Sequence, residues 1–355
     1  MDLNPPKLIL PIQYLRGVAA LMVVWHHGIA QIAGAADYFS MEFGPSGVDL
    51  FFVISGFIMV MTTSRTGGNP MDFIQRRFIR VVPLYWLLTL ALVAMLLVAP
   101  SLFRSTVLTP VSVFQSLLFI PHFSPSHPDK IWPILVPGWT LNYEMFFYCT
   151  FAASLVFTHR LAVLASTLFM LIAAGYVLGP FAHPAAQTYT NPLLLEFVAG
   201  AVLAHFWVRG KLKIPLAGSI IASLTGAALL MPQNAPALGV YTPLAGAGLM
   251  VYGSLNGRWL SWRNALLLTL GDASYSIYLT HVFTLGVCRS VWAKIHPGTN
   301  DLVAASTFMV LALIVSAIVG WLSYRWVETP LLNWLHSMRS KKAGTAKIAS
   351  VPGNL

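Results

Sequence analysis

Charge is the scarcest property of this 355-residue sequence. Aspartate, glutamate, lysine and arginine make up 9% of it, against about 25% in an ordinary soluble domain. Hydrophobic residues make up 57%, and the mean hydropathy is +0.72. So few charges cannot cover a water-facing surface, which excludes a soluble globular class. Cysteine is nearly missing too. Cys149 and Cys288 lie inside apolar stretches without C-x-x-C spacing, so disulfide and thiolate-metal chemistry are not indicated and both are expected to be packing residues. No metal is expected. No long polar stretch offers room for an appended soluble domain. The first apolar stretch carries Arg16 inside it and His26-His27 near its far end, with no small-residue cleavage pattern after it, so it is expected to stay in the mature protein.

What is abundant is apolar sequence in membrane-length pieces. About ten stretches could cross a ~30 Å hydrocarbon layer as helices of about 20 residues. They lie near 9–34, 47–63, 80–99, 138–158, 161–180, 192–208, 214–231, 237–254, 272–292 and 302–326. A further piece at 107–121, bounded by Pro110 and Pro121, is too short and reads as a partial or interfacial helix. The expected fold is all-α, a polytopic integral membrane bundle. Residues 1–338 would form one membrane domain and 339–355 a disordered cytoplasmic tail. The 21 lysines and arginines set the orientation. With the N-terminus inside, fifteen fall on the cytoplasmic side, and only Arg104, Lys130 and Lys294 on the other. Both termini are therefore expected to be cytoplasmic. The formal charge of +10 is a topology signal and implies no nucleic acid. The stretch 100–137, with six prolines beyond Pro100, lies on the outer side and is either a lid or acceptor surface or a plain connection.

Titratable groups in hydrocarbon cost at least ~2.5–3.5 kcal/mol each, so those that persist are candidates for function. They are Arg16, His26, His27, Asp49, Glu144, Glu196 and His281. At ~100° per residue, positions eleven apart return to within about 20° of one helix face, which groups Arg16 with His27 and turns His26 about 80° away. A neutral imidazole can take a proton from a hydroxyl, so His27 is a candidate general base; the alternative is a histidine hydrogen-bonded between helices. Asp49, in Gly47-Val48-Asp49-Leu50-Phe51-Phe52, could orient His27 or serve as a carboxylate favoured at a helix start.

Arg76, Arg77 and Arg80 lie at the cytoplasmic mouth of the third stretch. Arg77 and Arg80 are neighbours on one face and could grip phosphates, or could set topology and meet lipid headgroups. Glu144, in Trp139-Thr140-Leu141-Asn142-Tyr143-Glu144, lies at a depth that could bring it near His27. Ser274, Tyr278 and His281 form a polar stripe at i, i+4, i+7, able either to contact a substrate or to tie helices together.

Taken in order, Arg16 with His27 (R-x10-H), GVDLFFVISGF at 47–57, RRFIRVVPLYW at 76–86, WTLNYEMFFY at 139–148 and SYSIYLTH at 274–281 followed by WVETP at 326–330 resemble the acyltransferase 3 family of bacterial membrane proteins. The opening Ile12-Gln13-Tyr14-Leu15-Arg16-Gly17-Val18-Ala19-Ala20 further resembles the subgroup that acetylates bacterial exopolysaccharides such as succinoglycan-type polymers. The resemblance implies an acyl-CoA donor, most simply acetyl-CoA, entering from the cytoplasm. It also implies a carbohydrate acceptor, an exopolysaccharide or lipid-linked glycan, in a multi-pass inner-membrane enzyme surrounded by membrane lipids. By the same resemblance His27 would be catalytic, and Arg77 and Arg80 would lie on the donor side. From the residues themselves, Asp49 or Glu144 is expected to assist His27, Arg16 and Arg76 to join the donor arginines, and Tyr278, His281 and Trp139 to contact the acceptor. No hydrolase-like domain of the kind fused to some members is expected, so the acceptor would reach the membrane domain directly or through a partner. The rival class is a transporter or flippase of a lipid-linked sugar. Transporters commonly carry two related halves, and neither the 16–27 nor the 76–86 pattern recurs in the second half.

Overall fold

In a computed structural model, which describes residues 8–40, 44–66, 68–99, 106–231, 239, 241–256, 262–298 and 301–349, the protein is 77% helix with no strand among those residues. The fold class is thus all-α. Each apolar stretch contains a helix. They are α1 (Leu10–Ile29), α3 (Ser46–Thr66), α4 (Pro70–Val98), α6 (Gly138–Ser154), α7 (Arg160–Leu178), α9 (Leu194–Val208), α10 (Leu216–Leu230), α11 (Tyr241–Asn256), α13 (Ser274–Ile295) and α14 (Leu302–Ser323). Short helices α2 (Ala35–Tyr38), α5 (Pro110–Leu117), α8 (Pro184–Tyr189) and α12 (Ala265–Asp272) join them, and α15 (Thr329–Ala349) closes the chain. Five helical segments are long and apolar enough to cross a membrane: Ser46–Ser64, Pro70–Val98, Arg160–Leu178, Pro184–Val208 and Leu302–Arg339. Arg104, Arg258 and residues 350–355 lie outside the described residues.

The helix ends follow local chemistry. α4 starts ten residues before the apolar run at 80, because Asn69 accepts a hydrogen bond from the Asp72 N–H and Pro70 takes the first position. Arg76, Arg77 and Arg80 are therefore inside a helix. α5 is short, as expected, and opens on a Thr109–Ser112 capping box with Pro110. α15 continues to Ala349, through the first residues of the stretch whose composition suggested a disordered tail. Between Pro330 and Pro352 the sequence has no proline to stop it. Between α14 and α15 the backbone widens into one π turn, Tyr324–Glu328. Such turns occur mostly as single insertions in helices, often at functional sites.

α3 is the central post. In its membrane-length window 78% is buried, against 17% for α7, which puts α3 in the interior and α7 on the rim. One apolar core joins α3, α4, α6, α7 and α9 with α13. A second joins α1, α3, α9 and α11, and a third joins α1, α13 and α14. Outward faces stay apolar, for example Met170 and Val177 on α7 and Val303 and Val310 on α14. Such faces suit contact with lipid tails. The segment after 106 folds onto α4: Tyr85 donates to the Ser116 carbonyl (3.1 Å) and Trp86 Nε1 to that of Leu117 (2.7 Å).

Glycine lets α3 and α9 touch backbone to backbone. A Cβ on Gly200 would fall 1.8 Å from the Val53 carbonyl oxygen, and one on Gly56 would fall 2.0 Å from that of Phe197. Gly200→Val is expected to cost roughly 2 kcal/mol or more by overpacking, read as a lower melting temperature in detergent. Gly286→Ala, where a Cβ meets nothing within 4 Å, is expected to be neutral or slightly stabilising. Equal melting temperatures for the two variants would contradict this packing.

Candidate active site

A cavity of about 190 Å³ lies between α1, α3, α4, α6 and α13. Arg16, Arg77 and Arg80 stand toward the end of the bundle where α1 begins, and Thr140 and Tyr278 stand at the opposite end. Phe51, Phe52, Ile58 and Met59 of α3 form an apolar wall, faced by Glu144, Tyr148 and Tyr275. A second hollow of about 380 Å³ shares Arg16 and Arg80 with the first and is bounded by Gln13, Asp272, Thr329, Asn333 and His336. It forms a vestibule at the arginine end.

Each arginine is held by a different device. Arg16 donates to Gln13 Oε1 (2.8 Å), and Gln13 Nε2 donates to Asp272 Oδ1 (2.6 Å). Arg77 donates to Thr62 Oγ1 (3.0 Å), lies 5.6 Å over the Phe73 ring, and keeps its Nε buried without a partner among the described residues. Arg80 pairs with Glu328, whose other oxygen accepts from Ser276 Oγ (2.6 Å). Glu328 is 1% exposed, so this pair must be matched within the protein. Arg76 does not line the cavity. It pairs with Asp72, which also pairs with Arg339 of α15, because one residue along a helix turns the side chain ~100°.

At the far end the two adjacent histidines part. His26 packs at Gly44, where an added Cβ would meet its Cβ at 2.0 Å. His27 turns to α13, its ring 5.1 Å from that of His281 and tilted 30° to it. Arg16 and His27 therefore both face the α12–α13 rod. His281 is fully buried. Its Nδ1 lies 2.6 Å from the Tyr278 carbonyl oxygen, while its Nε2 is buried with no partner among the described residues. With the proton on Nδ1 donated to that carbonyl, Nε2 presents a lone pair. The Tyr278 ring lies 5.9 Å from His281, and its hydroxyl is shared between Thr140 Oγ1 (2.8 Å) and the Pro137 carbonyl (2.9 Å). Tyr278 lines the cavity and His27 does not. Tyr278 and His281 link the two.

Neither expected carboxylate partner of His27 is beside it. Glu144 accepts from Ser55 Oγ (3.0 Å) and from Tyr148. It lies four residues beyond Thr140, ~6 Å along α6 toward the arginines, so its depth matches the middle of the cavity. Asp49 lies against Glu196 of α9. The reason is geometric: Gly47 faces α1 at Ala19, Met22 and Val23, and two residues further the helix has turned ~200°. Trp139 packs edge-on against Tyr143 at 5.9 Å and does not line the cavity. Sequence reasoning did not assign Glu328, Asp272 or Tyr275. The signal for Glu328 lay in the WVETP block: a lone carboxylate at the end of a long apolar run needs a cation.

A sequence model for a family described as an acyltransferase domain matches residues 10–325. The chain belongs to this acyltransferase family. The acyltransferase is 42% identical over 297 residues to the exopolysaccharide production protein ExoZ of Rhizobium meliloti (strain 1021), a match covering 82% of the acyltransferase and 90% of ExoZ. It is 26% identical to the acyltransferase MdmB of Streptomyces mycarofaciens, over 94% of the acyltransferase and 95% of MdmB. Similarity to the O-acetyltransferase OatA of Staphylococcus aureus is 24%, over 92% of the acyltransferase and 57% of OatA. No solved structure matches it.

The Arg80–Glu328 pair yields a direct test. Removing one partner strands the other in a mostly apolar setting, so Arg80→Ala is expected to destabilise by roughly 3 kcal/mol. Replacing the pair together, Arg80→Met with Glu328→Leu, should recover most of that stability in thermal unfolding. Additive losses in the double variant would contradict a coupled pair.

Proposed function

We propose that this acyltransferase is a multi-pass inner-membrane O-acyltransferase, most simply an O-acetyltransferase. It would transfer an acyl group from cytoplasmic acyl-CoA to a hydroxyl of an exopolysaccharide or lipid-linked glycan. The observation that carries this is a cavity with an arginine cluster at one end and Tyr278 at the other, beyond which His281 and His27 stack. The likeness to ExoZ supports a polysaccharide acceptor, and the likeness to OatA supports O-acetylation. About ten spans follow from the apolar stretches, and both termini cytoplasmic from the lysine and arginine distribution, which makes the arginine end the cytoplasmic one.

On this reading the CoA phosphates meet Arg16, where the vestibule joins the cavity, and Arg77 inside the cavity, since guanidinium groups bind phosphate bidentately. Arg80, held by Glu328, adds positive charge. The pantetheine arm runs along the apolar α3 wall past Glu144, and the thioester passes Tyr278 to His27, ~16 Å from Arg16 along α1. An acceptor hydroxyl arriving from the outer side loses its proton to His27 as its oxygen attacks the thioester carbonyl. The tetrahedral intermediate then collapses with C–S cleavage; the thiolate leaves as CoA and takes up the proton from His27. Asp49 and Glu144 act here as structural acids of the bundle and the cavity wall.

His27→Ala is expected to lower acceptor-dependent CoA release by about 10²–10⁴-fold, the usual worth of a positioned general base, with membrane insertion unchanged. His26→Ala is expected to retain substantial activity. Equal losses in both, or an active His27→Ala enzyme, would sink the assignment. Arg77→Ala should weaken acyl-CoA binding by roughly 10–100-fold, the worth of a charge-assisted hydrogen bond, with only partial rescue by Lys. Unchanged donor affinity by calorimetry would refute the donor path.

A further inference from the structure

The arginine-rich end holds another cavity, of about 610 Å³, between the end of α3, the end of α6, the start of α7 and the end of α9. It shares no lining residue with the donor cavity, whereas the vestibule shares Arg16 and Arg80 with it. The donor path therefore has its own mouth elsewhere. His159, Arg160, His205 and Arg209 carry the titratable lining of this cavity, with Thr63 and Ser64 beside them. Arg160, Arg209 and Lys211 all stand within electrostatic reach of His205, and Arg209 hydrogen-bonds to it.

Among the described residues no acid balances these groups. The sequence has no aspartate or glutamate between 145 and 195 or between 197 and 271, and Glu196 points to Asp49. Among the described residues, neither Arg160 nor Arg209 has an acidic partner. The start of α7 repeats the pattern: it has no side-chain cap and no acidic residue in its first turn, whereas α4 has both. His159 to Ala162 line the cavity at that start, where free backbone N–H groups and the helix dipole favour an anion. The rim is apolar. Val156, Phe157, Phe206 and Val208 are exposed around the charges, as expected at the boundary between hydrocarbon and water.

We propose that this cavity is a binding site for the phosphate headgroup of an anionic phospholipid, held by Arg160, Arg209 and the N-terminus of α7, with the acyl chains lying against the apolar rim. Basic hollows between transmembrane helices on the cytoplasmic side have the chemistry for such headgroups. The site clamps α7 and α9 to the end of α3. Because α9 crosses α3 backbone to backbone, a bound lipid would also steady the post that carries the donor cavity wall.

The test uses the full chain in detergent, titrated with phosphatidylglycerol, phosphatidylcholine or inorganic phosphate, and read by native mass spectrometry and thermal unfolding. The wild type should bind phosphatidylglycerol in preference to phosphatidylcholine and melt at a higher temperature with it. The pair Arg160→Gln and Arg209→Gln should bind phosphatidylglycerol about 30-fold more weakly, as expected for two juxtamembrane arginines, with unchanged acyl-CoA affinity. The pair Arg160→Lys and Arg209→Lys should keep most of the lipid affinity, and its loss would overturn the electrostatic account. Equal phosphatidylglycerol binding by wild type and the Gln pair would overturn the site. So would inorganic phosphate stabilising as well as the lipid, which would mark a free-anion site. Loss of acyl-CoA affinity with lipid binding intact would assign the cavity to the donor instead.

Discussion

A guanidinium ion inside an apolar bundle must be matched there, since water cannot do it cheaply. Three such ions, Arg16, Arg77 and Arg80, converge on one cavity, and much of the surrounding structure serves to hold them. Glu328 arrives on a π turn between α14 and α15 to pair with Arg80 and takes a second hydrogen bond from Ser276. Asp272 ends α12 where it can reach Arg16 through Gln13. Thr62 of α3 accepts from Arg77, whose guanidinium lies over the Phe73 ring. Residues far apart in sequence are thereby pinned to one place, and the break at Ala273 between α12 and α13 lets one rod meet α1 on both sides of that place.

Matching is incomplete, and that is where binding capacity resides. Arg77 keeps a buried Nε without a partner among the described residues, and Arg16 is neutralised only through an intervening amide. Both are suited to take an anion, whereas Arg80 is committed to Glu328. At the other end of the cavity the groups are uncharged: Tyr278 is fixed by Thr140 and the Pro137 carbonyl, and His281 is fixed by the carbonyl of Tyr278. A positive mouth and a neutral, hydrogen-bonded interior suit a ligand with an anionic end and an uncharged reactive end.

Much of this was legible in the sequence. The ten apolar stretches each hold a helix, because run length and hydropathy carry that information directly. The joint turn of Arg16 and His27 toward one neighbour, and the parting of His26, follow from 3.6-residue periodicity alone. Pairings between helices were not legible. Asp49 and Glu144 were matched to His27 by depth, but depth leaves rotation open; Gly47 facing α1 sends Asp49 to α9, and Glu144 lies a turn further in, against Ser55 and Tyr148. Arg76 was grouped with its neighbours by adjacency, although a single helical step carries it out to Asp72 and Arg339. Glu328 stood in a motif without a role because its partner lies 248 residues earlier.

The central claim is that donor phosphates sit at the arginine end while the thioester reaches His27 past Tyr278. A cryo-electron microscopy structure of the full chain with a non-hydrolysable acetyl-CoA analogue tests it most directly. The account requires phosphate density at Arg16 and Arg77, the pantetheine along Phe51, Ile58 and Met59, and the acyl carbon beyond Tyr278 within contact of the His27 ring. Analogue density confined to the hollow at Arg160 and Arg209, or an acyl carbon left near Glu144 with Tyr278 still closed over it, would contradict it.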